Sequence, residues 1–284
     1  MSKSLINLPK ALFGGLFALT VSMVSVAFAD AAAIRSGFDS STLNRNDDAS
    51  TGSVAIGFDV NYFGTTYSNT FVNNNGNITF GDSLFTFTPF GLTGATSIPI
   101  IAAFFADVDT RNFDSGVVQY GNGNVSGFNA FGVSYRNVGY FLSAADLLNS
   151  FQLLLVDRSD TGLDNFDIEF NYDQIQWETG DASGGVNGSG GTSAAVGYSN
   201  GSGTAFQLPG SFENGALLDG GSASLIANSI NSDVLGRYTF EVRGGQVQPS
   251  RPVPVPAGFL APVVFGAWSA FSISKKNRDK IKSA

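Results

Sequence analysis

Along most of the chain, apolar and polar positions alternate with a period of two. Val54, Ile56, Phe58 and Val60 share one face of such a pattern, which predicts a half-buried strand over Val54–Tyr62. Phe166–Asp173 (FDIEFNYD) is the cleanest alternation, with an aromatic and aliphatic core face and an acidic face directed to solvent. Ile98–Phe105 and Phe151–Val156 are continuously apolar, as strands covered on both faces are. A strand at Gly76–Phe80 follows a run of asparagines, and others are predicted at Ala194–Tyr198, Ala205–Leu208 and Arg237–Val242. Ile175 and Trp177 alternate with Gln174, Gln176 and Glu178, a half-buried strand running into the glycine turn TGDASGG. Only Ser143–Asn149 reads as a helical turn. Short strands and glycine turns predict an all-β fold, a single β-sandwich domain of mostly antiparallel strands.

Both ends break the pattern. Lys3 and Lys10, the apolar run Ala11–Val26 and the sequence Ala27-Phe28-Ala29 have the order of a secretory signal peptide, predicting removal of residues 1–29. The other reading, an N-terminal membrane anchor, requires a longer apolar run. Residues 30–250 form the β domain, and 251–284 hold a proline spacer, a hydrophobic helix and a basic tail. Val255–Ile273 as a helix would measure about 28 Å, enough to cross a bilayer. Lys275, Lys276, Arg278, Lys280 and Lys282 would stay on the cytoplasmic side. This order, with VPVPAG (Val253–Gly258) and KKNR (Lys275–Arg278), resembles the PEP-CTERM class of bacterial sorting signals. Val255 stands where the namesake motif has glutamate, which makes it the VPxPA type. The resemblance implies a Gram-negative-type or cyanobacterial cell, a sorting peptidase as partner and display at the outer surface or secretion, with a membrane span before processing.

Composition narrows the function classes. Gly (35) and Phe (26) are abundant while charged residues make up only 13%, as expected of Phe-filled β layers joined by glycine turns. All six lysines lie in the terminal segments, and residues 30–250 carry 22 Asp and Glu against 7 Arg, a net charge of −15. Such a surface repels nucleic acid and suits divalent cations or basic partners. With no cysteine and no histidine, the chain can form neither a disulfide nor a Ser-His-Asp, Cys-His or His-zinc site.

Eight blocks occur in the order shown by the nidogen-like extracellular (NIDO) family. They are FVNNNGNITFG (Phe71–Gly81), IIAAFFADVDTR (Ile100–Arg111), GVVQY (Gly116–Tyr120), NSFQLLL (Asn149–Leu155), IQWETGDASGG (Ile175–Gly185), AAVGYSNG (Ala194–Gly201), FQLPGS (Phe206–Ser211) and GRYTFEV (Gly236–Val242). The chain resembles that family from about Ala55 to Arg243. The resemblance implies a non-catalytic extracellular role in cell–matrix adhesion, with matrix or exopolysaccharide components as partners. The alternative is a sugar-binding or sugar-cleaving sandwich acting on exopolysaccharide. An exposed aromatic platform beside a carboxylate cleft would mark it.

The candidate chemistry is carboxylate chemistry. Asp107 and Asp109 in FADVDTR are two residues apart at a strand end, so both could meet one hard cation. Asp157, Asp160, Asp164 and Asp167 in DRSDTGLDNFD form a second acidic loop. Asp107, Asp109, Asp157, Asp160 and Asp164 are the candidate Ca²⁺ ligands, and no other cofactor is implied. The competing and more ordinary reading pairs Asp109 with Arg111 or Arg158 and lets the other aspartates cap turns. Asp181 and Ser183 either contact a ligand or hydrogen-bond the backbone of their own turn, the commoner use of such residues.

Overall fold

The computed structural model describes residues 33–250. In chain order the strands are β1 (Ser41–Thr42), β2 (Val54–Tyr62), β3 (Thr65–Asn73), β4 (Asn77–Thr79), β5 (Ile100–Phe105), β6 (Val108–Asp109) and β7 (Val118–Val125). They continue with β8 (Phe128–Tyr140), β9 (Ala144–Asp157), β10 (Phe166–Gln174), β11 (Ala195–Ser199), β12 (Ala205–Gln207), β13 (Arg237–Arg243) and β14 (Gln246–Val247). One sheet has the order β1-β7-β8-β9-β10-β13-β14 with β6 also on β8; the other has β12-β11-β5-β4-β3-β2. All the strand pairings are antiparallel, and the two sheets form a sandwich. Among the described residues no helix is long and apolar enough to cross a membrane. The signal peptide at 1–29 and the helix and basic tail at 251–284 lie outside the described residues.

The space between the sheets is filled by aromatic side chains whose hydroxyls need partners once buried. The Tyr135 and Phe151 rings stack at 4.5 Å, and Tyr135 Oη donates to the Asn73 carbonyl of the facing sheet at 2.7 Å. Tyr172 Oη likewise crosses to the Ala103 carbonyl at 2.6 Å. These bonds tie sheet to sheet without disulfides. β5 is apolar throughout because both its faces are covered. Ile101, Ala103 and Phe104 join the central core, while Ile100, Ala102 and Phe105 pack outward with Leu92 and Ala195.

Three segments depart from the alternation pattern. Phe166, Ile168, Phe170 and Tyr172 are core, but Asp167, Glu169 and Asn171 opposite them are buried too, and only Asp173 is exposed. The segment before β1 covers that face, with Phe38 in a small cluster with Val125, Ala130, Leu154 and Val156. Arg35 Nε donates to Glu169 Oε1 at 2.6 Å, and Arg158 and Arg243 hold Asp167 at 2.9 and 2.7 Å. Ser143–Asn149 is no helical turn: from Ala144 it is the start of β9, paired to β8 through Tyr140↔Ala144 and Val138↔Asn149. Ile175–Glu178 lies outside any strand. Asn149 Oδ1 instead accepts from the amides of Gln176 and Trp177, and its Nδ2 donates to the Trp177 carbonyl, so a side chain supplies the partners a ladder would. Trp177 is still fully buried, its Nε1 bonded to the Val138 carbonyl.

Candidate functional site

The chain passes from one sheet to the other between β5 and β6, and Asp107 sits at that crossing. The turn is tight, with the Val108 amide on the Ala106 carbonyl at 2.9 Å, and the Phe141 amide donates to the Asp107 carbonyl. The Asp107 side chain is buried, 1% exposed, yet neither of its carboxylate oxygens has a hydrogen-bond partner. Opposite it lies the loop after β1, held against β6 by reciprocal bonds: the Asn46 amide to Thr110 Oγ1, and the Thr110 amide to the Asn46 carbonyl. That loop presents Asp47 and Asp48. Carboxylate oxygens of Asp47, Asp48 and Asp107 all lie within 4.8 Å of one another, and this is the grouping of potential metal ligands found among the described residues.

The buried asparagines of NNNGN frame the corner. Asn75 Nδ2 donates to Asp48 Oδ1 at 2.8 Å while its Oδ1 accepts from the Val108 amide at 3.0 Å. Asn74 Nδ2 donates to the carbonyls of Asp47 and Val108, and its Oδ1, like Asp47 Oδ1, is buried without a partner. Burial first, then the charges of Asp47, Asp48 and Asp109, raises the Asp107 pKa to about 7. Burial, with Asp109 and Asp48, raises Asp47 to about 6 although Arg111 opposes the shift. The corner holds more negative charge than its surroundings neutralise.

Gly180 of TGDASGG closes the other side. Its φ of −88° suits any residue, but a Cβ there would lie 2.5 Å from Asp107 Oδ2 and 2.8 Å from Phe141 Cβ. The glycine is required by close approach. Asp181–Ser183 forms a single turn through backbone bonds, and Ser183 Oγ bonds Thr88 Oγ1 at 2.8 Å, a partner distant in sequence.

Of the acids predicted as ligands, only Asp107 belongs to this group. Asp109 is buried but saturated: Arg111 donates to both its oxygens, and the Ser143 amide donates to Oδ2 at 2.8 Å. Burial favours its neutral form, but the Arg111 and Ser143 bonds outweigh burial and lower its pKa. The structure does not bring Asp157, Asp160 and Asp164 together at one point. Asp157 Oδ1 caps the Ser159 amide, Asp160 pairs with Arg158 at 3.0 Å, and Asp164 Oδ2 accepts from Thr66 Oγ1. Asp47, Asp48 and Asn74 escaped sequence reasoning. Their signals were the acidic pair in RNDD and an asparagine run longer than a turn needs.

Among the described residues the exposed large aromatics are Phe85 and Phe113, and the Arg45 guanidinium lies over the Phe113 ring at 5.5 Å.

The NIDO-related family profile matches residues 20–232. The chain is similar to mouse (Mus musculus) alpha-tectorin, 31% identical over 227 residues, covering 72% of this chain and 10% of that protein. It is also similar to Drosophila melanogaster nidogen, 28% identical over 209 residues, covering 64% of this chain and 14% of that protein. The chain thus spans roughly a tenth of the length of the curated relatives it matches. No solved structure matches it.

Proposed function

Because this chain belongs to the NIDO-related family, we propose that it is a non-catalytic, exported protein that associates with extracellular matrix or biofilm components. The observation that carries the reading is the family match across most of the chain, from residue 20 to residue 232. The acidic body, free of histidine and cysteine, is consistent with it, since binding through loops on a rigid sandwich needs no nucleophile or base. In this reading residues 1–29 direct export, 30–250 form the binding body, and 251–284 deliver the chain to a sorting peptidase and the bacterial cell surface through a transient membrane span.

Two measurements on the source cells test it together. The chain is followed by immunoblot through cytoplasmic, envelope, surface and medium fractions, and a deletion strain is scored for matrix retention and attachment. Recovery at the surface or in the medium, with loss of matrix association on deletion, is expected. A cytoplasmic chain, or a deletion strain with unchanged matrix and attachment, would overturn the proposal. A glycan array followed by a turnover assay separates simple adhesion from sugar cleavage, and turnover would replace this reading with the enzymatic one.

A further inference from the structure

We infer that Asp47, Asp48 and Asp107 bind one hard divalent cation, and that calcium fits the site best. Acidic clusters are common on protein surfaces and mean little alone. What distinguishes this one is Asp107, a side chain 1% exposed with neither oxygen hydrogen-bonded. Every other buried acid among the described residues has at least one donor: Asp109 has Arg111 and Ser143, Asp167 has Arg158 and the Arg243 ion pair, Glu169 has Arg35 and Asn171, and Glu178 has the Gly215 amide. A buried carboxylate without a donor is costly, and folds retain one where something outside the chain completes it. Here the unfilled atoms are all acceptors. Asp47 Oδ1 and Asn74 Oδ1 lie buried and unpartnered in the same corner, and Asn74 Nδ2 bonds the Asp47 carbonyl. Acceptors gathered without donors call for a cation.

The geometry admits one ion. Oxygens within 4.8 Å of one another can share an ion whose bonds are about 2.4 Å long, the calcium–oxygen distance. An all-oxygen set excludes a preference for zinc or copper. Ligands drawn irregularly from a loop and a strand crossing suit calcium, whereas magnesium demands a near-regular octahedron and holds its waters. Charge points the same way. Asp47, Asp48, Asp107 and Asp109 meet a single guanidinium, Arg111, which already bonds Asp109 and lies 3.1 Å from Asp47 Oδ2. An ion here would join residues 47–48 to residue 107, fixing the segment that leads into β2 onto the point where the chain changes sheets.

The test uses the full chain, stripped with EDTA and titrated with CaCl₂ or MgCl₂ by calorimetry and thermal melting. Calcium is expected to give a saturable heat and a higher melting temperature, with magnesium at least about tenfold weaker. Asp107→Asn and Asp48→Asn should each weaken calcium binding by about tenfold or more, while Asp160→Asn, in the other acidic loop, should leave it unchanged. In EDTA, Asp107→Asn should melt at or above the wild type, because it removes an unpartnered charge; Asp48→Asn carries the test if Asp107→Asn does not fold. No heat and no shift with the wild-type chain would overturn the site. So would a calcium response equally strong in both site variants, and equal affinity for magnesium would overturn the calcium assignment.

Discussion

Replacing Arg35 with alanine tests whether an ion pair fastens the segment before β1 across the sandwich. Arg35 Nε and Nη2 reach Glu169 Oε1 and Oε2 at 2.6 and 3.0 Å, and the Glu169 side chain is only 6% exposed. Removing one partner of a buried pair costs about 3–5 kcal/mol, because the other charge stays buried and uncompensated. Two features reduce that figure here. The Arg35 side chain is 27% exposed, so water already screens it, and Glu169 keeps Asn171 Nδ2 at 2.8 Å and Arg237 Nε at 3.5 Å. The expected loss is therefore about 2 kcal/mol, or a fall of about 4–8 °C in melting temperature for a body of this size. The backbone of Arg35 stays docked, since its amide and carbonyl bond the Gln152 side chain at 3.0 and 2.8 Å, so the substitution isolates the ion pair. Urea unfolding of the wild type, Arg35→Ala, Glu169→Gln and the double variant gives the coupling directly, expected at about 1–2 kcal/mol. A coupling below about 0.5 kcal/mol would refute the argument that this pair holds the segment.

Phe38→Ala should cost about 3 kcal/mol, since the ring is 1% exposed and anchors the cluster with Leu154 and Val156; a urea midpoint unchanged from wild type would contradict that packing. Gly180→Ala should destabilise by about 1–3 kcal/mol through steric overlap with Asp107 and Phe141 alone, because its φ already suits alanine; a neutral result in thermal melting would show that the contact yields freely. Burial raises the Glu178 pKa above its ordinary value even though the Gly215 amide donates to Oε1 at 2.7 Å. A raised acid holds its proton more tightly when folded, so its stability is complete below the unfolded pKa and is lost as pH rises through the folded one. The melting-temperature advantage of Glu178→Gln over wild type should therefore widen from about pH 3.5 to about pH 8; a gap that narrows would reverse the sign.

Hydrophobic periodicity made the layers legible wherever a strand buries one face or both. β2 spans the alternation at Val54–Tyr62, and β5 lies within the apolar run at Ile98–Phe105. The pattern is silent where polar residues are buried. β3 (TTYSNTFVN) and β7 (VQYGNGNV) have too few apolar positions to show a face, and β8 carries Asn137 at φ +52° beside a register shift between Tyr135 and Val138. The acidic face of β10 reads as solvent-facing because alternation cannot register arginines that arrive from residues 35, 158, 237 and 243. The same limit hid the candidate site. Asp107 and Asp109 are equivalent by spacing, and only the fold decides that Arg111 takes one and leaves the other bare.

Three of the blocks that carry the family resemblance look unrelated in sequence, and the fold gathers residues from each at one place. FVNNNGNITFG supplies Asn74 and Asn75, whose side chains bond both the amide and the carbonyl of Val108 and reach Asp47 and Asp48. IIAAFFADVDTR supplies Asp107 and the saturated Asp109–Arg111 pair. IQWETGDASGG supplies Gly180, pressed on the Asp107 carboxylate, while the Asp107 carbonyl takes the Phe141 amide. A turn alone would explain a glycine or an asparagine, but not two adjacent asparagines whose side chains bond Asp47, Asp48 and Val108, nor a glycine whose φ any residue could adopt. Packing at the corner of Asp47, Asp48 and Asp107 explains both. Three of the eight blocks by which the chain is recognised thus meet at the Asp107 corner, so a change in Asn74, Asn75, Asp107 or Gly180 should be felt first there, in the join between the two sheets.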